Sequence, residues 1–248
     1  MTGPFKRTIR PFQDGTYGSC RYVKHTAFAS DPLHYIRAYS ILLKDLQDLC
    51  EFVEPADANI DTYSYRIHGL LMRVCIEVEA NWTAILRENG YEKEKNLTVA
   101  DYKKIEATHR LSEYEIQVAT WTGRKVHYTP FRAWGTGGPL VWYQRYNSSK
   151  HDRQGNFQKA TFGTLIESIC GLLALLSAQF HVQDFDPGPD LLALEGGGSP
   201  DGYELGIGGG FFVKFPTSWP LADRYSFDVD RVMRSPTGIL SHAYSLAN

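Results

Sequence analysis

Cysteine is scarce in this 248-residue chain, and its spacing carries no chemistry. Cys20, Cys50, Cys75 and Cys170 include no C-x-x-C pair, which excludes the common structural zinc frames. Cys50, Cys75 and Cys170 fall inside apolar helical patterns and read as small core residues in a reducing cytoplasm. Long hydrophobic runs are also missing. The strongest, residues 170–180, lies between Glu167 and His181 and is too short to cross a bilayer. The opening residues lack the apolar stretch of a signal peptide, so the sequons at Asn81, Asn96 and Asn147 are coincidences. No G-x-S-x-G elbow, H-E-x-x-H pair or G-K-[ST] phosphate loop occurs. The glycines at 206–210 lead into a strand-like Phe-Phe-Val-Lys-Phe rather than a helix, so they make no nucleotide cradle. The eight histidines are scattered, and no metal or cofactor is expected.

Net charge is also low, at −2, with 43% hydrophobic residues, which excludes a disordered chain. The average conceals blocks. Residues 1–25 carry +4, 26–115 carry −6, 116–159 carry +6 and 160–248 carry −6. The second basic block interleaves its cations with aromatics, a mixture suited to phosphate contacts with base stacking. Arg124, Lys125, Arg132, Trp134 and Tyr146 are its candidate nucleic-acid contacts.

Apolar spacing predicts about five helices. Asp31-Pro32 starts the first, which runs through Leu33, Ile36, Leu42, Leu43, Leu46 and Leu49 toward Pro55. Asp61 or Thr62 opens the second, ended by Asn89-Gly90. A capping-box variant from Thr98 to Asp101 starts a third, extending through Ile116 and Val118. The fourth runs from Pro139 to about Arg153, and the fifth, the most apolar, from about Gln158 to Val182. A helix apolar on nearly all sides belongs in the middle of a bundle. The expected fold is therefore mainly α: a basic arm at 1–30, a helical bundle at 31–185 and a Gly/Pro-rich β/coil appendage at 186–248. In that appendage, Tyr203–Ile207 and Phe211–Phe215 pair as a hairpin across Gly208–Gly210. Glu77 and Glu79 lie on different helix faces; Glu77 with His68 or Arg73 is a candidate polar network.

The densest chemistry is Arg145-Tyr-Asn-Ser-Ser-Lys-His-Asp-Arg153. A histidine can take the proton of a ribose 2′-hydroxyl near neutrality, and an arginine fork can hold the developing phosphorane charge. On a helix, Asn147 and His151 share a face with Lys150 beside them. Arg145 stands about 240° from His151, so the two converge only if the helix bends or the arginine reaches round.

Arg145-x5-His151, within the wider stretch from Trp142 to Arg153 and ahead of an apolar helix, resembles the HEPN superfamily of helical bundles. The resemblance covers roughly residues 31–183. It implies a metal-independent endoribonuclease in a toxin or phage-defence system, with RNA as substrate, no cofactor and a homodimer that brings two motifs together. Arg145 and His151 would be catalytic, with Asn147, Lys150 and Arg153 in support. The polar residue that commonly follows the family's arginine is Tyr146 here, with the asparagine one position later. The reading from another class is a non-catalytic module binding a nucleic acid, a nucleotide or a protein partner.

Overall fold

A computed structural model describes residues 3–93, 96–182 and 201–244. The expected turn at 186–189 and the glycines at 196–198 lie outside these residues. The fold is mainly α with one small antiparallel sheet. Helix α1 spans Pro32–Cys50; Asp31 caps it by accepting from the His34 N–H, and proline occupies its first position. Helix α2 spans Tyr65–Glu88, capped by the Ser64 hydroxyl, three residues beyond the expected Asp61. Helix α7, Phe162–Phe180, is buried along nearly its whole length and packs chiefly on α2, with α1 and α5 (Val141–His151) against its flanks. It is long and apolar enough to cross a membrane, but 94% of its apolar window is buried within the protein, as in a core helix.

The expected third helix is broken. The capping box at Thr98 is present, but it serves a short α3, Val99–Lys103, followed by α4, Glu106–His109. Arg110 then takes a left-handed conformation, and Glu115–Val118 is a strand, β1. Ile116 and Val118 alternate inward with Glu115 and Gln117 outward, the period of a half-buried strand. A second helical turn, α6, occupies Arg153–Asn156.

Strand β1 is central. It pairs with β2, His127–Tyr128, on one side and with β4, Phe211–Lys214, on the other; β3, Glu204–Leu205, completes the order β2-β1-β4-β3. The β3–β4 hairpin forms as the sequence predicts. It does not stand apart, because Ile116 faces Val213 and Val118 faces Phe211 across the β1–β4 register. Those four side chains join the same hydrophobic cluster as α1, α2 and α7. Residues 201–244 are thus woven into the common core rather than appended to it.

The N-terminal segment is equally integrated. Arg7 is fully buried; its guanidinium pairs with Glu88 at 2.7 Å and donates to Gln179 Oε1 at 2.8 Å. Ile9, Tyr22 and Val23 are core residues, and Arg10 lies between the rings of Phe5 and Trp219. The +4 charge at this end is therefore partly internal and does not form a free basic arm.

Candidate nucleic-acid interface

Four residues on one face of α5, Trp142, Tyr143, Tyr146 and Ser149, turn inward. Trp142 Nε1 donates to the Pro130 carbonyl at 2.9 Å. Trp82 of α2 is ringed by Tyr102, Phe131, Trp134, Trp142 and Tyr143 at centroid separations of 5.0–6.4 Å. This cluster fixes α5 on α2 through specific aromatic geometry as well as buried area. It also corrects two expectations: Trp134 is 3% exposed and Tyr146 1%, so neither ring can stack on a base. Their hydrophobic surface is spent on the core.

The polar residues of α5 divide between its two flanks. On one, Arg145 is exposed and donates from Nη1 to Thr164 Oγ1 at 3.0 Å. Its charge and that of Lys125 both reach Glu167, the one charged residue of α7. Burial pushes the Glu167 carboxyl up, and Lys125 and Arg145 oppose that rise. Lys125 follows Arg124 in a turn whose backbone is clamped: Asp57 accepts from the Arg124 N–H at 2.7 Å, the Lys125 N–H at 3.2 Å and Trp121 Nε1 at 2.7 Å. Both cationic side chains of that turn are left exposed. Exposed Lys159 is close by, because its carbonyl accepts from the same Thr164 hydroxyl that Arg145 contacts. Arg132 is exposed in a separate 3-10 turn, Arg132–Thr136.

On the other flank, Lys150 lies 3.6 Å from Glu79 of α2, and its ammonium is 5.1 Å from the Tyr146 ring centre. The Tyr143 hydroxyl donates to the second Glu79 oxygen at 2.8 Å, with half-buried Asn147 beside it. Burial, followed by Glu79, holds the Tyr143 hydroxyl protonated. Lys150 and Asn147 therefore serve a Glu79-centred network rather than a phosphate site shared with Arg145.

His151 is the last residue of α5, exposed, with no side-chain hydrogen bond or ion pair to any described residue. The helix runs unbroken from Val141 to His151, so the ideal separation of about 240° from Arg145 applies. Within one chain the expected catalytic pair is not assembled. Arg153 turns back toward α2, its guanidinium 5.9 Å from the Tyr65 ring centre. It also stands near His68, whose Nε2 is 2.9 Å from Ser149 Oγ. Burial, then Arg153, lowers the His68 pKa.

His68 and Glu167 are therefore the residues that local sequence undervalued. Glu167 had a signal, as the lone charge in an apolar helix. His68 is a candidate polar residue in the sequence, but its partner, Ser149, is 81 residues away and had no local signal. The suggested network of Glu77 with His68 or Arg73 does not form that way: Arg73 pairs with Asp45 of α1 and His68 with Ser149. Among the described residues, no three His, Cys, Asp or Glu side chains gather as a metal site. Comparison with protein-family models, curated proteins and solved structures gives no match.

Proposed function

We propose that this chain binds RNA, recognising its phosphates through the cations around Glu167. One observation carries this reading: Lys125 and Arg145, 20 residues apart in sequence, both act on the Glu167 carboxyl and are both exposed. The two halves of the +6 segment thus act on one carboxylate, with exposed Arg124 next to Lys125 in sequence and the Lys159 backbone bonded to Thr164. Cations that neutralise phosphates supply a large share of the affinity of such surfaces and make it salt-dependent. With Trp134 and Tyr146 in the core, recognition rests on phosphates rather than on base stacking.

A second reading is favoured by one feature of α5, the exposed His151, which has no partner among the described residues. In this reading the bundle of α1, α2, α5 and α7 is HEPN-like, and the chain is a metal-independent endoribonuclease of a cytoplasmic toxin or phage-defence system. The active form is then a homodimer in which one protomer's Arg145 meets the other's His151.

A short single-stranded RNA carrying a fluorophore tests both readings by anisotropy and gel electrophoresis in EDTA. Binding that weakens steeply with salt, and that Lys125→Glu and Arg145→Glu each impair, supports the phosphate surface. Affinity unchanged in both variants refutes it. Cleavage abolished by His151→Ala, with binding retained, supports the dimeric nuclease.

A further inference from the structure

A cavity of about 360 Å³ opens between the C-terminal half of α1, the end of β1 and α7. Its walls are apolar: Leu43, Leu46, Val118, Ile166 and Phe211. Gly209 and Gly210 line it, in a turn where Gly208, Gly209 and Gly210 have φ angles of +81°, +74° and +76°. Only glycine adopts three such residues in succession without strain. A Cβ at Gly209 or Gly210 would meet nothing within 4 Å, so no side chain from those two positions covers the entrance. A concave apolar chamber of this size with a few polar groups at its edge has the form of a small-molecule site.

The polar edge selects the ligand. Among the described lining residues one is charged, the exposed Glu54, and none is cationic. Helix α1 ends at Cys50, so its negative dipole end also faces this region. Glu54 lies close enough to Cys50 to add to the effect of burial, and the thiol is pushed up to about 11. A carboxylate at the edge and apolar walls suit a molecule with a hydrocarbon body and a single positive head. We propose that this cavity binds a small apolar amine, its ammonium at Glu54 and its hydrocarbon against Leu46, Val118 and Phe211. Gln47 and Thr120 lie at the edge, where a second polar group of the ligand would meet them.

Cys50 supplies a reporter inside the site. It is half-buried in the cavity wall, whereas Cys20, Cys75 and Cys170 are buried elsewhere. The experiment follows carbamidomethylation of Cys50 by peptide mass spectrometry in the full chain, with phenethylamine, phenylethanol or phenylpropanoate as probe. Phenethylamine at ten times its dissociation constant is expected to slow Cys50 labelling about tenfold. Phenylpropanoate is expected to protect much less. Glu54→Gln should weaken phenethylamine by about threefold, the scale of an exposed ion pair, and leave phenylethanol unchanged. Thr120→Trp, at an exposed edge position, should block protection by every probe. Equal protection by amine and carboxylate would overturn the assignment of the head group. Absence of protection by phenethylamine up to its solubility, with Cys50 still reactive, would overturn the site itself.

Discussion

Lowering the pH from 7 to 5.5 should cost this protein a large part of its stability through three buried imidazoles. His109 is 1% exposed; burial first, with the nearby Arg10 and Arg7 cations adding to it, lowers its pKa to about 4. His181 is fully buried and lowered to about 4 by burial alone. His242 is lowered to about 2 by burial, then by His109 and Arg10. In the unfolded chain each accepts a proton near pH 6.5. Between that value and the folded values the unfolded state binds more protons, so stability falls as pH falls. The contribution is whole above about pH 6.5 and is lost progressively toward pH 4. From pH 7 to 5.5 the linkage amounts to about 1.3 kcal/mol for each imidazole, or about 4 kcal/mol for three. His68, lowered by partial burial and Arg153, acts in the same direction. Glu106, Glu167 and Glu204, raised chiefly by burial, act the other way and reduce the loss.

Urea unfolding at the two pH values measures the difference. The double variant His109→Gln/His242→Gln is expected to be less stable at pH 7, because Thr8 and Thr108 lose their ring partners. It should nevertheless shed about two thirds of the pH-dependent drop, since two of the three imidazoles are gone. A variant that keeps the full drop, or a wild type whose stability is flat across the interval, would refute the reasoning.

Three further outcomes concern the core. Trp134→Ala should destabilise by about 3–5 kcal/mol in urea, the range for a buried tryptophan, and a variant of near wild-type stability would contradict its packing on Trp82. Arg7→Ala strands the Glu88 carboxylate and the Gln179 amide, and a loss of about 3–5 kcal/mol is expected by thermal or urea unfolding. Gly208→Ala places a Cβ 2.5 Å from Leu43 Cδ1 at a positive φ, so a loss of about 1–2 kcal/mol is expected, and a stabilised variant would refute the turn geometry.

Local signals served well where local physics decides. The α1 start was legible because Asp31-Pro32 combines a cap with a preset φ, and α7 because its apolar content leaves only a buried position. The segment at 111–118 misled because Leu111, Ile116 and Val118 fit loosely onto a helix period, while Tyr114, Ile116 and Val118 alternate as a strand. What settles the matter is β4, whose partner residues lie about a hundred positions downstream, and register of that range has no local signature. The same limit applies to the surface. The cations of the +6 segment were visible, but not which of them face solvent together, nor that Trp134 would be claimed by Trp82 and Tyr146 by Tyr143. The separation of Arg145 from His151 was legible from helix geometry, because α5 stays unbroken as the spacing required.

Phosphate recognition by the cations around Glu167 is tested most directly by measuring RNA affinity against salt for wild type, Lys125→Glu and Arg145→Glu. Cleavage in EDTA is monitored in the same samples together with His151→Ala. Wild-type affinity is predicted to decline steeply with salt. Each charge variant should show a shallower slope, by about 0.7 for every phosphate it no longer neutralises on a single strand. A salt slope near zero in the wild type, or identical slopes in all the proteins, would contradict the phosphate surface.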